Sequence, residues 1–216
     1  MQLKGKTAII TGGGSGFGAS MADLFAKNGA KIIVADINLD SACKVAEGIG
    51  GYPFEVDVSS AKSVEQMKIE IFKEFEKVDI VVNNAGTTHL PAPMETIEED
   101  EFDRVFNVNC KSVYLTAKHF VPHFKENKSG VILNIASTAG VSPRPNINWY
   151  NSSKGWMILA SKTMAVELAP YKVRVNAIAP VAGVTPLLKS FMGGNTKKKK
   201  ASFFSHYTNR EIFNTK

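Results

Sequence analysis

The stretch TAIITGGGSGFG, residues 7–18, decides how the rest of the chain is read. It opens as a short apolar, β-branched run of the kind a buried strand requires and passes directly into a glycine-rich turn. Beyond the turn Phe17, Met21, Leu24, Phe25 and Asn28 recur at helical spacing until Gly29 supplies a stop. Glycines at such a turn allow positive φ and let a pyrophosphate approach the N–H groups of the helix N-terminus. Lying between a strand and a helix, the turn reads as a dinucleotide-binding loop, with Gly12, Ser15, Gly16, Phe17 and Gly18 against the cofactor.

Working outward, similar runs recur at residues 31–35, 51–56, 78–82, 130–136 and 173–178, separated by helix-length amphipathic stretches. The pattern predicts an α/β fold in which about six parallel strands form a doubly wound sheet covered by helices. Ligands bind such sheets beyond the carboxyl ends of the strands. Asp36 ends the second strand, where a carboxylate can accept hydrogen bonds from both ribose hydroxyls of NAD and repel a 2′-phosphate. No arginine or lysine stands at Ser15 or Ile37 to neutralise that phosphate, so NAD is expected rather than NADP. Capping of the next helix is the competing role for Asp36, open equally to Asn38 and Asp40. Asp57, followed by Val58, can meet the adenine amine or cap the helix beyond Ser59. Asn83-Asn84-Ala85-Gly86 after the fourth strand is small and polar enough for close approach to a cofactor, or for an ordinary turn.

With 216 residues, 44% of them apolar, the chain can bury one sizeable core. No apolar run of eighteen residues is present, which argues against a membrane span, and no secretory leader is expected. Cys43 and Cys110 lack metal-ligand spacing, so a reducing, cytoplasmic setting is expected. Of the net charge of +6, residues 197–216 carry +5, leaving +1 for the body, so nucleic acid is not an expected partner.

Residues 101–127 read as one long helix in which Asn109 occupies a place where an apolar residue is expected; it should therefore bind freed backbone groups or a water. His119 and His123 are four apart, but Pro122 intervenes and no third ligand is evident, so no metal is expected. In the helix over 149–170, Trp156, Leu159, Ala160, Thr163, Met164 and Leu168 are the expected buried stripe. Tyr150 and Lys154 lie one turn apart at its start, where an ammonium beside a phenol favours the phenolate. A tyrosine useful near pH 7 needs its pKa of about 10 lowered by roughly two to three units, or about 3 to 4 kcal/mol. Ser137, at the end of an apolar run, can hold a substrate oxygen, and such a set suits proton transfer to a carbonyl oxygen.

Together these motifs resemble the short-chain dehydrogenase/reductase family, its NAD-dependent branch in particular, over roughly residues 1–192. Thr11-Gly12, Gly16 and Gly18 fit the family's TGxxxGxG loop, Asp57 its adenine-side acid, residues 83–86 its NNAG motif, and Asn109, Ser137, Tyr150 and Lys154 its catalytic tetrad. The resemblance implies a Rossmann fold and hydride transfer between NAD(H) and a secondary alcohol or ketone. Tyr150 would be general acid or base, Lys154 would lower its pKa and bind the nicotinamide ribose, Ser137 would position substrate, and Asn109 would hold a relay water. Val58, Asn84, Ala85, Gly86, Pro180 and Thr185 would complete the cofactor contacts, although the family's Pro-Gly is here Pro180-Val181. Reduction of a 3-oxoacyl thioester is the alternative within the class. The resemblance also implies a homo-oligomer, dimer or tetramer. It breaks at residues 193–216, an atypical basic tail where the family's final helix and strand are not visible; truncation or a frameshift is expected, with an impaired nucleotide-binding protein as its possible result. His89, Leu90, Pro91, Arg144, Asn146 and Trp149 fall near the expected substrate mouth, with Arg144 a candidate for an anionic group.

Overall fold

The structure is a computed structural model, in which residues 1–181, 183 and 185–191 are described. The lysine-rich tail, and every expectation attached to it, lies outside the described residues.

Six parallel strands form one sheet in the order β3-β2-β1-β4-β5-β6: β1 (Thr7–Thr11), β2 (Lys31–Asp36), β3 (Tyr52–Glu55), β4 (Ile80–Asn83), β5 (Gly130–Ile135) and β6 (Val173–Ile178). The connecting helices are α1 (Gly16–Lys27), α2 (Leu39–Ile49), α3 (Ala61–Glu74), α4 (Glu99–Phe106), α5 (Ser112–Glu126) and α6 (Asn148–Leu168), followed by a single turn, α7 (Leu188–Phe191). This is the doubly wound, Rossmann-like α/β architecture. The chain moves outward from β1 to β3 and then returns to β4, so the carboxyl ends of β1 and β4 flank the crevice where such sheets take ligands.

Both faces of the sheet bury apolar side chains. Ala8, Ile10, Ile32, Val34 and Val82 pack under α1 and α2, while Ile9, Ile33, Val81, Ile132 and Val175 pack under α3, α5 and α6. Phe120 and Phe124, one turn apart on α5, are fully buried in the second layer, and each such side chain contributes about 1.5 to 3 kcal/mol.

Several helical expectations need correction. Residues 101–127 are not one helix: α4 ends at Phe106, a π-helical turn spans Asn107–Lys111, and α5 begins at Ser112. Pro122 lies inside α5 without breaking it. On α6, Trp156, Leu159 and Thr163 are exposed; the inward positions are Tyr150, Ser153, Lys154, Met157, Ser161 and Leu168. Phe17 and Leu24, read with the apolar set of α1, are also exposed.

Candidate active site

The glycine loop is stitched to the end of β4. Thr11 Oγ1 accepts the N–H groups of Asn84 and Ala85 (3.1 Å each), and Asn84 Nδ2 donates to the carbonyls of Thr11 (2.9 Å) and Gly12 (3.0 Å). Gly12 has φ +61°, and a Cβ there would stand 2.9 Å from Ala85 Cα. A side chain here would strike the segment after β4, so glycine is what lets the loop close against Asn84 and Ala85. At Gly18 a Cβ would fall 2.1 Å from the Gly12 carbonyl oxygen. Gly18 thus allows α1 to close on the loop from behind; among the residues expected at the cofactor it alone is missing from the cleft wall.

That wall encloses about 630 Å³ and includes Gly12, Ser15, Gly16, Phe17, Asp36, Asp57, Val58, Asn84, Ala85, Gly86, Ser137, Tyr150, Lys154, Pro180 and Thr185. Asp36 accepts the N–H of Gly14 (2.9 Å) through one oxygen and that of Asn38 (3.0 Å) through the other, while Asn38, not Asp36, caps α2. Asp57 accepts the N–H and hydroxyl of Ser59 (2.9 and 2.6 Å), and the cap of α3 is Ser60.

At the other end of the cleft, α6 presents Tyr150 and Lys154, both only 4% exposed. Lys154 Nζ donates to the Ile135 carbonyl (2.8 Å) and lies 5.9 Å from the Tyr150 ring centre. Burial lowers its pKa to about 8, opposed by the neighbouring Cys110, whose own thiol burial raises to about 11. Ser137 follows β5, and its hydroxyl accepts the Ala139 N–H (3.1 Å), capping a short 3₁₀ turn. The Phe191 ring meets Tyr150 edge-on at 4.8 Å.

Asn109 does not line the cleft. Fully buried in the π-helical turn, it accepts the Thr87 N–H (2.8 Å) and donates to the Thr87 carbonyl and to Ser153 Oγ (2.9 Å each). The expected backbone partners exist, but they belong to the loop after β4 rather than to its own helix. Five residues earlier Arg104 grips the same loop, donating to Thr87 Oγ1 and to the Thr88 carbonyl (3.0 Å) while paired with Glu101 (2.8 Å). No periodicity announces Arg104, Thr87 or Phe191, all of which line the cleft; their positions depend on tertiary packing. Of the other mouth candidates, Arg144 lines the cleft, whereas His89 is buried and Leu90 is exposed. Trp149 packs edge-on against Phe102 and donates to the Met94 carbonyl (3.3 Å). His123 Nε2 accepts the Val78 N–H (3.4 Å), and its ring packs against Phe72.

Comparison with known proteins agrees with this geometry. The short chain dehydrogenase family model matches residues 6–195. The chain belongs to the short-chain dehydrogenase family. It is 43% identical to 4-formylbenzenesulfonate dehydrogenase of Comamonas testosteroni over 89% of this chain and 79% of that protein. It is 37% identical to 3-oxoacyl-[acyl-carrier-protein] reductase of Thermotoga maritima over 87% of this chain and 78% of that one. A 3-ketoacyl-(acyl-carrier-protein) reductase from Brucella melitensis, solved with NADH, superimposes with a TM-score of 0.86 at 43% identity, covering 97% of this chain and 92% of its own. As a short-chain dehydrogenase the chain is an oxidoreductase acting on CH–OH groups, and its family supports a nicotinamide cofactor. None of its described helices is long and apolar enough to cross a membrane.

Proposed function

We propose that this chain transfers hydride between NAD(H) and a secondary alcohol or ketone, with Tyr150 as the acid–base group. The observation that carries the reading is the Tyr150–Lys154 pair, one helical turn apart and buried in the wall of a cleft whose far end holds two carboxylates. When bound, the nicotinamide supplies or accepts the hydride. The chain's own residues do the rest. A protonated Lys154 favours the phenolate of Tyr150 and so eases proton loss and return at its hydroxyl. Ser137, having accepted the Ala139 N–H, keeps its own proton to donate to the substrate oxygen. Asn109 holds Thr87 and, through Ser153, the Tyr150 backbone, since Ser153 Oγ donates to the Tyr150 carbonyl (2.7 Å).

Asp36 supports NAD over NADP, because its carboxylate lines the cleft and no cation stands at Ser15 or Ile37. The likeness to two acyl-carrier-protein reductases, one solved with NADH, favours 3-oxoacyl thioester reduction as the second reading. The exposed apolar residues Trp156, Leu159 and Val166 on α6 support a homo-oligomer. Free cysteines support a cytoplasmic setting, and the near-neutral body supports a small-molecule substrate over nucleic acid.

NADH titration followed by a screen of ketones and 3-oxoacyl thioesters tests the reading. Tyr150→Phe should keep NADH affinity and lose about 10²- to 10⁴-fold in turnover; retention of turnover within a few-fold would remove Tyr150 from the chemistry.

A further inference from the structure

The segment after β4 lines the cleft and is held at its two ends by different parts of the chain. Its first residues are tied to the glycine loop, where Thr11 Oγ1 accepts the Asn84 and Ala85 N–H groups. Its last, Thr87 and Thr88, are tied to α4 and the π-helical turn. Asn109 accepts the Thr87 N–H (2.8 Å) and donates to the Thr87 carbonyl (2.9 Å), while Arg104 donates to the Thr87 hydroxyl and to the Thr88 carbonyl (3.0 Å). Between the two ends lies Gly86, where a Cβ would stand 3.5 Å from Asn109 Oδ1 and 3.5 Å from Lys154 Nζ. The segment therefore passes the buried ammonium just before the end that Arg104 holds. Asp36 and Asp57 bond elsewhere, to Gly14, Asn38 and Ser59.

Because Arg104 itself lines the cleft, a direct contact with a ligand is the first role to weigh. Its hydrogen bonds favour another. A guanidinium offers five N–H donors in a rigid planar array. On one side Nε and Nη2 meet the two Glu101 oxygens (3.2 and 2.8 Å); on the other Nη1 and Nη2 meet Thr87 and Thr88. Both pairs of donors are thus engaged within the protein. The ion pair with Glu101 is half-exposed and adds little to stability, so its consequence is geometric: it aims the guanidinium at the loop. Thr88 is buried, and without Arg104 its carbonyl must either shift toward water or stay unsatisfied.

Resting on the hydride-transfer reading above, we propose that Arg104 is a positioning residue: through Thr87 and Thr88 it fixes the wall beside Lys154 that receives the nicotinamide half of the cofactor. The adenine half, served by the glycine loop, Asp36 and Asp57, does not depend on it.

Calorimetric affinities of the full chain for NADH and for ADP, which lacks the nicotinamide half, test this. Arg104→Met should weaken NADH about tenfold, the size of one lost hydrogen bond, and leave ADP within about twofold, so that ADP also reports an intact fold. Arg104→Lys, a point charge that can serve one acceptor but not both, should recover part of the loss. Thr87→Val should weaken NADH in the parent protein but add little in the Arg104→Met background, since both remove the same contact. Equal losses for NADH and ADP, no loss for either, or effects of the two substitutions that multiply in full would overturn the proposal. Should Arg104→Met not fold, Arg104→Lys and Thr87→Val are read in the same way. A parent protein that does not bind NADH would instead overturn the hydride-transfer reading.

Discussion

The two halves of the sheet are built from similar strands but are covered differently. On the face toward α1 and α2, the row Ile10–Val82–Leu133–Asn176 runs from fully buried, through half-buried, to exposed; the row Ala8–Ile80–Val131–Arg174 does the same. On the opposite face Ile9, Val81, Ile132 and Val175 stay at or below 6% exposed across the same four strands. The half that carries the glycine loop and Asp36 is thus sandwiched. The half that carries Ser137, and against which Tyr150 and Lys154 pack, is covered on one face by the described residues. Cofactor binding should therefore rest on the rigid half and chemistry on the less supported one, so that damage to one need not follow damage to the other.

The sharpest way to break this contrast is to shorten side chains on the shared face. Ile10→Ala should cost about 2 to 5 kcal/mol, because its site is closed on all sides and cannot collapse fully. Leu133→Ala, half-buried on the same face, should cost about 1 kcal/mol or less, because much of the removed surface already meets water. Urea unfolding midpoints of the two variants compare them directly. Equal losses would mean that something covers Leu133 in solution.

How legible each half was follows from the same physics. In β1, TAIIT is buried at every position and reads as an unbroken apolar run; in β6, VRVNAI alternates, with Val173 and Val175 buried and Arg174 and Asn176 exposed. Five of the six strands are legible because burial on even one face leaves an apolar trace; β3, with Tyr52, Pro53 and Glu55 exposed and Phe54 half-buried, is legible from its aromatic residues instead. The helix α6 was harder to orient. Its inward positions hold Tyr150, Ser153, Lys154 and Ser161, while its apolar Trp156 and Leu159 face outward. A helix that carries a site reverses the usual link between apolar and buried. The π-helical turn was invisible for another reason: a single i→i+5 turn barely shifts hydrophobic spacing, so Asn109 was found by its misfit while the break in the helix around it was not. Arg104 and Thr87 meet only through the fold.

A second contrast concerns Asp36, in the sandwiched half. Asp36→Ser removes the carboxylate that accepts the Gly14 and Asn38 N–H groups and that would repel a 2′-phosphate. The ratio of NADH to NADPH affinity, measured by fluorescence titration, should fall about tenfold, equivalent to about 1.4 kcal/mol. The effect of Tyr150→Phe on turnover should be the same in this background as in the parent. An unchanged cofactor ratio would assign Asp36 to loop structure alone.

The smallest effect tests the less covered half through its buried cation. Lys154 has a folded pKa of about 8 against an ordinary value of 10.5, so between those limits the unfolded chain binds more protons and stability should rise with pH. Below about pH 8 the cost of burying the charge is fully present and stability no longer depends on this group. Cys110 acts in the opposite sense: with a folded pKa of about 11 against 9.0, it keeps its proton longer when folded, so stability falls as pH rises from 9 toward 11. The interval from pH 8 to 9 therefore isolates Lys154. Urea midpoints there should show a gain on the order of 1 kcal/mol in the parent protein and none in Lys154→Met. Bound NADH should leave the gain in place if the ammonium remains buried beneath Tyr150. A Met variant with the same pH slope as the parent would mean that the ammonium is solvated rather than buried, and the acidifying cation behind the phenol would be lost with it.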